Sequence, residues 1–165
     1  MPPDPNELLL QADALAAPAS ATQVDLRRAI SAAYYAVFHF CLTFAADMVC
    51  GSAVRSSDRY RHVYRSIDHS TLRNLCDKLR KTSPKDIAIA PSMGFGNISD
   101  FARIAVTLQE LRHRAEYDPQ PVLTALEART AVSEARQAIT WFTSSNDEQQ
   151  KTFLVLLLSF KQRSL

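Results

Sequence analysis

Glycine, cysteine and net charge are scarce in this chain, and each scarcity closes off a class of reading. Only three of its 165 residues are glycine, and no Gly-rich phosphate-cradling loop is present. Met93-Gly94-Phe95-Gly96 reads as a flexible turn rather than a dinucleotide fingerprint. The three cysteines are odd in number and show no CxxC spacing, which argues against both a disulfide framework and a zinc site. A formal charge of +2 is too small to call for nucleic acid by itself. The chain has no GxSxG elbow and no HExxH, and its four histidines are scattered without metal spacing. No metal and no cofactor is expected. The start of the chain shows no basic region followed by an apolar run, so no signal peptide is expected. The densest apolar run, Phe153 to Phe160, is far too short to span a bilayer. A cytoplasmic protein with no membrane contact is the expectation.

What the chain does have is helical pattern. Alanine and leucine are plentiful, the length suits one domain over residues 1–165, and a sizeable core can be buried. The periodicity predicts five or six helices, no strand, and an all-α antiparallel bundle: four core helices plus short extra ones. A short helix runs from about Asn6 to Ala16. Ser20 or Thr22 caps a long one from about Gln23 to Met48, with Leu26, Ile30, Ala33, Val37, Cys41 and Phe44 as its core stripe. A basic turn or helix covers Asp58 to Arg65. Another helix, Ser70 to Leu79, turns Leu72, Leu75, Cys76 and Leu79 inward. Residues 81–96 form a long irregular segment, of the kind that tends to be functional or mobile. Asn97 or Ser99 caps the helix that ends before Pro119. Thr124-x-x-Glu127 has capping-box form and opens a helix to about Ser144. The last helix, about Asp147 to Lys161, is apolar on nearly every side between Phe153 and Leu158. It is expected to pack on the core or on a second copy of the chain, most simply in a homodimer.

One charge falls where a charge is costly. Phe101, Ile104, Ala105, Leu108, Leu111 and Ala115 form a stripe, and Arg112, four residues after Leu108, lies inside it. A guanidinium there must be paired, with Glu116 one turn on, or must line a polar cleft. On the long second helix Arg28, Tyr35 and His39 share a face, spaced seven and four apart, with Ala32 and Ala36 leaving room for another element. Tyr34 and Arg27 sit between that face and the core stripe. A further candidate is the basic stretch from Arg55 to Lys81, with eight basic residues against three acidic ones. There Tyr60 and Tyr64 alternate with Arg61 and Arg65, a pattern compatible with phosphate contacts and base stacking.

Arg27-Arg28-Ala29-Ile30-Ser31-Ala32-Ala33-Tyr34-Tyr35-Ala36-Val37-Phe38-His39, followed by Leu111-Arg112-His113-Arg114-Ala115-Glu116-Tyr117-Asp118-Pro119, resembles the two signature segments of the HEPN superfamily. The likeness is to its small stand-alone bacterial branch, often encoded beside a minimal nucleotidyltransferase, and it covers roughly Thr22 to Phe142. The resemblance implies a helical, usually dimeric bundle in a toxin–antitoxin-like system, with the arginine segments facing a cleft between protomers. It also implies metal-independent ribonuclease activity in many members, through an arginine, a polar residue and a later histidine. Arg112 and His113 match the first two, but Tyr117 stands where the histidine is due at the shortest spacing, and Glu116 stands where aspartate is usual. Histidine titrates near neutrality and suits proton transfer in RNA cleavage, whereas an ordinary tyrosine does not. RNA or nucleotide binding through Arg112 survives that substitution, and efficient cleavage is not expected. His39, His69 or His113 would have to substitute in space. Arg112, His113 and Tyr117 are therefore the candidate catalytic residues, and Arg28, Tyr35, His39, Arg61, Arg65 and Glu116 the candidate ligand-binding ones.

Overall fold

Among the described residues, six of the seven α-helices begin on a side-chain cap, which explains why their starts fall where they do. The computed structural model describes residues 2–160. Its helices are α1 (Pro5–Ala16), α2 (Gln23–Cys50), α3 (Asp58–Arg65), α4 (His69–Lys81), α5 (Asn97–Tyr117), α6 (Ala125–Ser144) and α7 (Asp147–Ser159), and no strand occurs among the described residues. The basic segment 58–65 is thus a full helix, which brings the number of α-helices among the described residues to seven. Asp4 and Pro5 start α1, Thr22 and Asp25 close a capping box on α2, Thr124 and Glu127 close another on α6, and Asn146 and Gln149 a third on α7. The end of the last helix expected at Lys161 lies outside the described residues.

Helix α5 is the exception, and corrects the expectation that Asn97 or Ser99 caps it. Gly96 precedes the helix at φ 48°, and no side chain caps the end. A Cβ at Gly96 would lie 2.8 Å from Gln149 Nε2, and that same nitrogen donates to the carbonyl of Gly94 at 2.9 Å. The backbone enters α5 by passing tightly against α7, which only a residue without a side chain can do at this φ. Upstream, the irregular segment tucks Ile87, Pro91 and Phe95 into the interior.

α2 is the central post, packed against α1, α3, α5 and α6. Ala29, Ala32, Ala33 and Ala36 are buried, and small residues on several sides let neighbouring helices approach closely. Most of the stripe expected to face inward is fully buried, with Phe44 half-buried. Phe44, Phe101, Phe142 and Phe153 meet in edge-to-face pairs at the bundle centre. By length and composition α2 could cross a bilayer, but 72% of its most apolar stretch is buried inside the bundle. On α7, Phe153, Leu154 and Leu157 pack into the core while Val155 remains exposed and Leu156 and Leu158 half-buried. Buried side chains from α1, α2, α4, α5, α6 and α7 form one hydrophobic cluster, and Tyr64 of α3 packs against it.

Candidate functional site

Arg112 projects from the last turns of α5 toward α2, and its side chain is 13% exposed. Nη2 makes both of its protein bonds, to Glu116 Oε2 at 2.6 Å and to the Tyr35 hydroxyl at 3.0 Å. The guanidinium carbon lies 5.4 Å from the Tyr35 ring centre, 5.6 Å from that of Tyr117 and 5.9 Å from that of Tyr34, within cation–π range of all three. Burial works against the charge, and the Glu116 carboxylate and Tyr35 more than offset it, so the pKa of Arg112 is held above its ordinary value. The group is nevertheless only partly satisfied. Nε is sealed from solvent without a hydrogen-bond partner, and Nη1 makes no bond to the described protein. Of the five N–H donors on a guanidinium, only those on Nη2 are engaged.

Behind the arginine lies a half-buried aromatic cluster drawn from α2, α3 and α4, with Tyr34 and Phe38 as its buried members. The Tyr34 hydroxyl and His69 Nδ1 are 2.8 Å apart, and His39 Nδ1 and the Tyr64 hydroxyl are 2.6 Å apart. Both imidazoles sit below the ordinary histidine pKa, chiefly through burial and then through like charge: His69 acts on His39, and Arg112 on His69. Burial pushes the Tyr64 phenol up to about 12 and Tyr34 higher still. Each pair is therefore a neutral phenol bonded to a neutral imidazole near pH 7. Stacked or cation–π contacts run from Tyr64 through His39 and Tyr35 to Arg112 and on to Tyr117. The cluster connects the interior to the exposed ring of Tyr117, which is 63% exposed.

No family model matches the chain, and neither a curated protein nor a solved structure is significantly similar to it. The chemistry of the site therefore rests on its own residues.

Of the residues singled out from sequence, Arg112, Glu116, Tyr35, His39 and Tyr117 come together. His113 is exposed on the flank, its ring 5.0 Å from that of Tyr117, beside an open pocket of about 430 Å³ that also involves Arg73 and Arg114. Arg28 is exposed and, among the described residues, makes no hydrogen bond or ion pair. Arg61 and Arg65 lie on the exposed face of α3, Arg61 paired with Asp58. The aromatic residues between them do not serve as a stacking surface. Tyr60 is 2% exposed with its hydroxyl on Asp47, and Tyr64 faces His39, because a spacing of four puts both tyrosines on the inward side of α3. The basic excess of that region is also partly neutralised, by Asp47 on Arg55, Glu110 on Arg73, and Asp77 on Arg80 and Lys81. Among the described residues no three His, Cys, Asp or Glu side chains are grouped to hold a metal.

Sequence reasoning set aside two members of this assembly. Tyr34 is 1% exposed; its spacing of four from Ile30 and seven from Cys41 is the signal that puts it on the core stripe. Arg27 is the brace of the site. Its Nη1 donates to the carbonyls of Ala115 and Asp118, and its Nη2 to that of Pro121, each at 2.8 Å. These bonds tie the C-terminal end of α5 and the loop after it to α2, where a cation also complements the helix dipole. Gln23 adds a matching pair with the backbone of Leu123, donating to its carbonyl at 2.7 Å and accepting from its N–H at 2.9 Å.

Proposed function

We propose that the C-terminal end of α5 is a phosphate-recognition site for RNA or a nucleotide. The protein around it is read as a HEPN-type module of a bacterial toxin–antitoxin-like system that cleaves RNA inefficiently or not at all. One observation carries this reading: a guanidinium held by the Tyr35 hydroxyl and facing the rings of Tyr34, Tyr35 and the exposed Tyr117, with most of its donors unused. A preorganised guanidinium suits phosphate oxygens, and an exposed ring suits an unstacked base. The two tyrosine–imidazole pairs support poor cleavage. Each engages the Nδ1 of its histidine, and Tyr117 takes the place of the motif histidine.

The second reading, a metal-independent endoribonuclease, draws on His69, whose ring lies 5.8 Å from that of Tyr35, the same ring Arg112 faces. The cytoplasm is the compartment that suits either reading. The apolar side of α7 is the natural seat for a second copy. Leu156 of that helix and Phe160 just beyond its end border a cavity of about 310 Å³ with Leu75, Leu79 and Ile87. Leu156→Glu is expected to lower the mass measured by light scattering, and an unchanged mass refutes that seat. A minimal nucleotidyltransferase is the partner that the sequence resemblance implies.

The test is incubation of a mixed RNA pool with purified protein in chelator, beside Arg112→Ala. Retarded but intact RNA with the wild type, and free RNA with the variant, is the expected outcome. Cleavage that disappears in the variant would replace this reading with the second.

A further inference from the structure

We infer that Glu116 is a built-in plug: its carboxylate holds the edge of Arg112 that a phosphate would take, so the site is occupied by its own chain until a ligand displaces it. The inference deepens the phosphate-recognition reading and rests on it.

A guanidinium meets an oxyanion best through two neighbouring nitrogens, and Nε with Nη2 forms one such fork. The chain shows how a carboxylate fills that fork when the pair is structural. Asp47 accepts from Arg55 Nε at 3.0 Å and from Arg55 Nη2 at 2.5 Å, one oxygen on each nitrogen. Glu116 does not do this. It takes Nη2 alone at 2.6 Å, and Nε beside it is left buried and unpartnered. The same ion-pair chemistry in one protein is complete at Arg55 and half-made at Arg112.

Glu116 is also free to leave. It stands one turn beyond Arg112 on the same helix, so its side chain can rotate away while the α5 backbone stays fixed. It lines an open pocket of about 560 Å³ with Arg27, Tyr117 and Val122. Within that pocket Arg27 gives a displaced carboxylate another cation to face. Tyr35 stays on Nη2 and keeps the guanidinium aimed. A phosphate entering from the Tyr117 side would replace the Glu116 oxygen on Nη2 and supply the partner that Nε lacks. Each Arg112 nitrogen on that edge would then be engaged, as at Arg55.

The experiment is a fluorescence-anisotropy titration of a labelled 5′-phosphorylated ten-nucleotide RNA against the full chain. Four proteins are compared: wild type, Glu116→Gln, Glu116→Gln with Arg112→Ala, and Glu7→Gln. Glu116→Gln keeps the shape and removes the competing charge, and is expected to bind about five- to tenfold tighter than wild type. Adding Arg112→Ala is expected to abolish that gain. Glu7→Gln makes the same charge change on the exposed face of α1 and is expected to shift affinity less than about twofold. Equal affinity of wild type and Glu116→Gln overturns the plug and leaves the phosphate site standing. An equal gain in Glu7→Gln also overturns it, by assigning the effect to overall charge. Absence of binding in all four proteins overturns the plug and the phosphate site together.

Discussion

If Arg112 exists for binding rather than for the fold, removing it together with its counter-charge should hardly change stability. The cleanest perturbation is Arg112→Met with Glu116→Gln, which leaves no stranded carboxylate and keeps a flexible apolar stem among the rings. What is lost can be sized. A pair with side chains 13% and 25% exposed lies between surface and interior and contributes roughly 1 kcal/mol. The Tyr35 hydrogen bond contributes roughly 1 kcal/mol more, and the facing rings together roughly 1 kcal/mol. Against this, the variant no longer buries an unpartnered Nε–H, which costs roughly 1–3 kcal/mol, and it no longer desolvates a cation. The two sides cancel to within about 1 kcal/mol, or roughly 2–4 °C in melting temperature for a chain of this size. Urea denaturation and calorimetry measure it. A loss of roughly 3 kcal/mol or more in the double variant would instead make Arg112 a member of a structural ion pair.

Arg27→Met removes three charge-assisted bonds to carbonyls that water can partly replace. It is expected to destabilise by roughly 2–4 kcal/mol and to speed hydrogen exchange at residues 114–118; unchanged exchange there contradicts the bracing role. Gly96→Ala places a methyl 2.8 Å from Gln149 Nε2 at a φ of 48° and should cost roughly 1–3 kcal/mol, read from the urea midpoint; a neutral effect means that α7 can give way. His39 and His69 both titrate below the ordinary value of 6.5 in the folded chain, so between the two values the unfolded chain binds more protons. The stability they contribute is complete above about pH 6.5 and is lost as pH falls through the lowered folded values. The urea midpoint should therefore drop on acidification from about pH 7.5 to about pH 5. His39→Gln should drop less, and an identical drop in the variant contradicts the assignment.

Most of the fold was legible in the sequence because helices announce themselves locally. Thr22, Thr124 and their acidic partners mark two starts, and apolar spacing marks the inward faces of α2, α4 and α6. What the sequence did not reveal depends on distance along the chain. The start of α5 is set by Gln149, more than fifty residues away, and neither Asn97 nor Ser99 beside it carries any sign of that partner. Arg27 appeared intermediate in character because its ligands are carbonyls, which no side-chain pattern records. The Arg112–Glu116 pair was readable from a spacing of four, but its incompleteness was not, since an unmade bond at Nε leaves no trace in the sequence. Tyr60 and Tyr64 misled in the opposite way. Aromatic residues alternating with arginines fit a nucleic-acid surface, yet the same spacing equally fits the buried side of an amphipathic helix.

In the proposed function Arg112 recognises phosphate without being needed for folding. The most direct measurement is the salt-dependent affinity of wild type and Arg112→Gln for one labelled single-stranded RNA, with melting curves taken on the same samples. Binding that weakens as salt rises, a loss of roughly tenfold or more in Arg112→Gln, and a variant that still melts cooperatively as a folded protein are the expected results. Equal affinities for the two proteins, or a variant that is already unfolded, would contradict that role.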